Sequence, residues 1–186
     1  MTVDEIFSQI GQRMVEGLMA HSQLADYYNF LGLRGFYRCH KYHYFIENKN
    51  YKCVSDYYMK HYNKLLAERR FSNPNIIPEN WYKYSRLDVT NANRKGFVQA
   101  GIEKWVNWEF DTKKLYEAYY KDLLDMGEEA AAIEVAKYLK DVDEELAEAW
   151  QKNLELKCVD YDINQIMDMQ PRLHDKYKKK LKRLKL

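Results

Sequence analysis

The stretch 37-YRCHKYHYFIENKNYKCVSDYYMKHYNKL-65 decides the fold. Tyr37, Tyr44, Tyr51, Tyr58 and Leu65 recur every seven residues, and three positions after the first four stand His40, Glu47, Val54 and His61. Two sets repeating by seven and offset by three share one face of a continuous helix, the a and d positions of a packed seam. That seam alternates aromatic with mostly polar side chains, so the helix faces a polar interior. His43 stands on its flank, four residues before Glu47, while Arg38, Lys41 and Tyr42 lean outward.

On either side the period of three and four continues. Residues 3–33 carry Ile6, Ile10, Met14, Leu18, Leu24, Ala25, Tyr28 and Leu31 on one stripe, with His21 among them, and Gly32 and Gly35 mark the end of that helix. After Arg70 the pattern lapses through Pro74, Pro78 and five asparagines, so residues 71–95 form a crossover linker, longer than the usual join between antiparallel helices. Periodicity resumes from Phe97 to Met126 through Ile102, Trp105, Thr112, Tyr116, Tyr119 and Leu123, and Glu109 lies in the stripe. Gly127 predicts a stop. A fourth helix then carries Val135, Leu139, Val142, Leu146 and Trp150 inward with Asp143 at the edge, and residues 160–186 form a last helix, capped by Asp160 or Asp162 and interrupted by Pro171. The expectation is one all-α domain over residues 1–186: a four-helix bundle with one long crossover plus a C-terminal fifth helix.

Composition agrees. Of 186 residues 46% are apolar, enough for a core without disulfides, and glycine and proline together number only ten. No apolar run of spanning length and no secretory leader stands in the sequence. Cys39, Cys53 and Cys158 form no CxxC pair, and the first two, about 21 Å apart along one helix, are too distant to bridge. A reducing cytoplasm is the expected location. Charge is uneven: residues 175–186 are net +6, leaving −4 on the remainder, and residues 128–148 hold eight acids against Lys137 and Lys140.

Three stretches carry a family resemblance. "LADYYNFLGLRGF" (24–36) looks like the end of a ferritin first helix and the turn into the second, "YMKHYNKLL" (58–66) is similar to the end of the second, and "AKYLKDVDEELAE" (136–148) resembles the acidic heart of the fourth. The resemblance, to the ferritin-like superfamily, implies a di-iron centre at mid-bundle, with one carboxylate each from helices one and three and a Glu-x-x-His or similar pair from helices two and four. No Glu-x-x-His occurs in this sequence. Aligning the second stretch places the second-helix pair near Tyr51 and Val54, neither of which fits a di-iron centre. Glu109 matches the third-helix carboxylate, Asp143 or Glu144 approximates the fourth, and Glu16 or His21 stands nearest the first. Ferroxidase chemistry therefore does not carry over.

Three constellations remain. His21, His43, Glu47, Glu109 and Asp143 form a candidate centre for Fe, Zn or Mn, set against a polar layer in which tyrosine hydroxyls satisfy the histidines and glutamates. The C-terminal cations Lys176, Lys178, Lys179, Lys180, Lys182, Arg183 and Lys185 surround Leu173, Tyr177, Leu181 and Leu184, a basic amphipathic helix suited to a macromolecular partner or to packing on the acidic fourth helix. Arg34, Arg38, Lys41, Lys49 and Lys52 offer a nucleic-acid face on the second helix. The leading expectation is a non-enzymatic cytoplasmic bundle protein that binds a protein or nucleic acid, a host-enzyme or nucleic-acid-directed regulator of the kind mobile elements encode, without a favoured cofactor and open to homo-oligomerisation. The alternative is a metal-binding or redox protein with a non-standard His/carboxylate centre.

Overall fold

The computed structural model describes residues 1–67, 74, 76–77 and 81–184, with Tyr82 as backbone only. Five α-helices account for most of them: α1 (Val3–Phe30), α2 (Arg34–Tyr62), α3 (Asn91–Asp125), α4 (Glu129–Cys158) and α5 (Ile163–Arg183). The expected all-α architecture is present. No described helix is long and apolar enough to cross a membrane.

The helix ends follow from local chemistry. Thr2 and Glu5 form a reciprocal capping box at the start of α1. Gly32 and Gly127 take φ of +80° and +75°, which a side chain would strain. Each turn is closed by a backbone bond reaching back five residues, Leu33 N–H to Tyr28 O (2.8 Å) and Glu128 N–H to Leu123 O (2.9 Å). The α1–α2 and α3–α4 pairs are therefore tight antiparallel hairpins. Asn63, in the left-handed region at φ 51°, ends α2, which leaves His61 and Leu65 of the heptad series exposed. Asp162 caps α5 through the N–H groups of Asn164 and Gln165, and the helix runs through Pro171.

The connection between the hairpins spans residues 63–90, with short 3₁₀ turns at Trp81–Lys83 and Arg86–Asp88; its early part lies largely outside the described residues. It ends five residues sooner than the apolar pattern implies, because Thr90 caps α3 by accepting the Asn93 N–H (3.3 Å) ahead of any core residue. Arg86 donates to the carbonyl of Asn29 (2.8 Å), which also accepts the Gly32 N–H at the end of α1. The connection runs the length of the bundle, so α2 and α3 are parallel.

The core is divided. One apolar cluster holds Leu24, Tyr28, Phe36, Ile102, Trp105 and Ile166; the other holds Ile6, Phe7, Val54, Tyr58, Leu123 and Val135. Between them lies a layer of buried polar residues, and α5 packs across α2 at that level. Gly35 permits this approach: a Cβ there would stand 2.8 Å from the Gln170 carbonyl oxygen and from Leu173 Cβ.

Candidate metal centre

The buried layer draws side chains from all four bundle helices, three of them from α2. His21 comes from α1, His40, His43 and Glu47 from α2, Glu109 from α3 and Glu145 from α4, all buried, with Glu148 half-buried beside them. His40 and His43, and Glu145 and Glu148, are each three apart on their helix, so each pair shares a face. Gly17 of α1 makes room for Glu47, whose Oε1 lies 2.7 Å from where a Cβ would be.

His21 Nε2 stands 3.4 Å from Glu109 Oε1 and 3.7 Å from Glu145 Oε2. One ligand atom from each of His21, Glu109 and Glu145 can be chosen so that all lie within 4.8 Å of one another. The Trp105 indole donates to Glu109 Oε1 (3.0 Å), while Glu109 Oε2, Glu145 Oε2 and His21 Nε2 have no hydrogen-bond partner. On the other side of Glu145, His43 Nδ1 lies 3.1 Å from Oε1, and His43 Nε2 lies 3.4 Å from Glu148 Oε2. Neither ring nitrogen of His43 makes an aligned bond. Buried polar atoms are otherwise almost always bonded, so a cluster of orphaned lone pairs facing one point fits a cation.

The electrostatics point the same way. Burial disfavours charge on His21, but the neighbouring carboxylates of Glu109 and Glu145 outweigh it and raise the imidazole above its usual range. His43 is raised further: burial opposes its charge, and the charge of Glu145 overcomes that. Glu145 is held low against its own burial by His43 and His21. Glu47 is pushed well up, by burial first and then by Glu145 and Glu109. Burial, reinforced by His21 and His43, keeps His40 neutral. His40 Nδ1 lies 3.2 Å from His21 Nδ1, where a neutral His40 can accept the His21 Nδ1–H and hold the His21 Nε2 edge toward the two carboxylates.

No protein-family model matches the chain, and no curated protein matches it. Among solved structures, a humanized archaeal ferritin superposes with a TM-score of 0.77 over 92% of this chain and 94% of its own, at 14% identity. The fold is ferritin-like. An open-pore ferritin from the hyperthermophilic archaeon Archaeoglobus fulgidus (TM-score 0.73) and an engineered closed form of that ferritin (0.72) are similar over the same shares of each chain at 15% identity.

In this ferritin-like bundle the layer sits about three helical turns from the Tyr51–Val54 level implied by aligning the second stretch. Val54 belongs to the lower apolar cluster and Tyr51 packs against it. The paired positions are His40 and His43 on α2 and Glu145 and Glu148 on α4, in "HKYH" and "EELAE". Of the candidate ligands, His21 and Glu109 meet directly, His43 reaches Glu145, and Glu47 lies behind them with its carboxyl pushed up by burial. Asp143 is elsewhere: 49% exposed on the outer face of α4, it pairs with Lys113 at 2.6 Å, and Glu145 takes its place. Glu16 pairs outward with Arg13. Glu109 is held by an indole and an imidazole, not by a tyrosine hydroxyl, and the Tyr28 hydroxyl is unbonded.

The basic residues separate. Lys176 and Lys180 turn back onto Glu148 of the same bundle, whereas Lys178, Lys179, Lys182 and Arg183 are exposed; Lys185 lies outside the described residues. Arg38 and Lys41 line a groove against α5, Lys49 lines an acidic cavity, Lys52 pairs with Asp56 and Arg34 is exposed at the start of α2, so the five do not form one face.

Proposed function

We propose that this protein binds a divalent transition-metal cation between His21, Glu109 and Glu145. The observation that carries the proposal is the convergence of three buried side chains from three helices, each with a ligand atom, His21 Nε2, Glu109 Oε2 or Glu145 Oε2, that makes no hydrogen bond. One imidazole nitrogen and two carboxylates suit Fe, Zn or Mn. Such an ion, when bound, supplies a Lewis acid and, for Fe or Mn, a one-electron couple. The chain orients the donors: His40 fixes the His21 tautomer, the Trp105 indole holds one oxygen of Glu109, and the apolar clusters keep bulk water out. Metal analysis of protein purified without chelator and reconstituted with Fe(II), Zn(II) or Mn(II) tests it. The expected result is about one bound equivalent, lost in His21→Ala and Glu109→Ala. A wild type that takes up none of the three, with a Tm indifferent to chelator, overturns it.

A second reading is supported by a groove of about 380 Å³ between α2 and α5, lined by Arg38, Lys41, Lys178 and Lys182 with Tyr37 and Phe45. Four cations with two rings suit a single-stranded nucleic acid, whose phosphates they neutralise and whose bases the rings stack against. The anisotropy of a labelled oligonucleotide is then expected to rise on binding, steeply salt-dependent, and to lose the response in Lys178→Glu/Lys182→Glu. No binding at low salt refutes this reading.

A further inference from the structure

Resting on the metal-binding reading, a second feature concerns how a cation reaches the centre. Along the bundle axis the layer is sealed by the two apolar clusters, which a charged ion cannot cross without losing its hydration. The seam between α1 and α3 is closed by a resident cation: the Arg13 guanidinium lies 3.5 Å over the Trp108 ring and donates to Thr112 Oγ1 (2.9 Å) and to the Trp108 carbonyl (3.2 Å). Between α2, α4 and α5 the situation is reversed. A cavity of about 350 Å³ reaches in from the surface there, with room for a cation and a shell of about six waters at roughly 30 Å³ each.

Its carboxylates form a path inward. Glu144 is exposed at the mouth and Asp141 is half-buried, Glu148 lies deeper, and Glu145 forms the inner wall. Glu145 belongs to both compartments, since Oε1 faces His43 at 3.1 Å and Oε2 faces His21 at 3.7 Å. His43, only 2% exposed, lines the cavity with both ring nitrogens lacking a hydrogen bond. Against the four carboxylates stand Lys49 and Lys180. Lys180, from α5, places its ammonium 3.8 Å from Glu148 Oε2 and 4.8 and 5.2 Å from the Tyr42 and Tyr177 ring centroids, with its side chain still 36% exposed. A single ammonium on a flexible stem, held by one long ion pair and two ring faces, is a removable occupant.

We infer that this cavity is the port through which a hydrated divalent cation passes from the surface to the buried centre, and that the Lys180 ammonium occupies the port until the cation displaces it. Asp141 and Glu144 concentrate cations at the mouth, Glu148 receives them as Lys180 swings aside, and Glu145 hands them to the side of the layer that holds His21 and Glu109. The basic C-terminal helix thus acts on its own bundle, through Lys180 in the port and through Lys176, which holds the other oxygen of Glu148.

Stopped-flow mixing of metal-free full-length protein with Co(II), followed by the visible absorption of the bound ion, separates uptake rate from final occupancy. Lys180→Ala is expected to bind several-fold faster with the same stoichiometry. Asp141→Asn/Glu144→Gln is expected to bind about tenfold more slowly, with a shallower dependence on ionic strength. Variants that alter only dissociation, or that leave association within about twofold of wild type while the wild type still binds, overturn the port and leave the centre standing. A wild type that takes up no Co(II) overturns both.

Discussion

Gln170 is the residue on which the docking of α5 depends most directly. The residue before α2, Leu33, has no side-chain acceptor, so the first N–H groups of that helix would be orphaned in the core. Gln170 supplies the acceptor from another helix: its Oε1 takes the N–H of Gly35 (2.9 Å) and of Phe36 (3.3 Å), while its Nε2 donates to Ile166 O (3.0 Å). Gln170→Met keeps the volume and removes the acceptor. Leaving a buried N–H unpaired costs about 1–3 kcal/mol, and the longer second bond is the weaker, so the sum is roughly 2–3 kcal/mol. For a chain of this length each kcal/mol moves Tm by about 2–4 °C, giving a fall of about 4–12 °C. Urea unfolding should show a lower midpoint with unchanged slope. Gln170→Glu, which retains both acceptors at the positive end of α2, should lose less. A Gln170→Met protein within about 0.5 kcal/mol of wild type would refute the capping role, because orphaned buried donors cannot be that cheap.

Other expectations follow from the same geometry. His40→Leu removes the group that orients His21 and should weaken Zn(II) binding about 10–100-fold by calorimetry; unchanged affinity would show that the tautomer is set otherwise. Asp143→Asn should keep wild-type metal content and Glu145→Gln should lose it, and the reverse pattern would move the centre to the outer face. Gly35→Ala forces a methyl against the Gln170 carbonyl and should cost about 1–3 kcal/mol in chemical denaturation, a figure that a neutral result would contradict. Tyr58 and Tyr62 are both pushed up to about 12, by burial first and then by Asp4 and Glu128 respectively. Between pH 10 and 12 the unfolded chain releases these protons and the folded chain keeps them, so stability should fall across that interval, and less steeply in Tyr58→Phe.

Element order was legible in the sequence because it depends on local signals. Glycines at 32 and 127 and the three-four spacing of Trp105, Glu109, Thr112 and Tyr116 are enough to place helix ends and the inner face of α3. The phase of α4 was harder. Its large apolar side chains suggest a stripe that includes Trp150, yet Trp150 is 53% exposed; the buried stripe runs through Ala131, Val135, Tyr138, Val142, Glu145 and Ala149. Small and charged residues carry little weight in a hydrophobic pattern, so Asp143 was favoured over Glu145. Axial alignment was the other gap. Periodicity fixes which face a residue occupies but not which turn of the next helix it meets, and only the folded chain brings His43 level with Glu145 and Glu148.

The division of the core by a charged layer also makes the bundle self-aligning. An apolar seam tolerates a helix sliding by a turn, since one leucine replaces another. Here a slide of about 5.4 Å would carry Glu109 or Glu145 out of the layer and into an apolar cluster, away from His21 and Trp105. The layer therefore works as a vernier between four long helices, allowing one axial setting and excluding its neighbours.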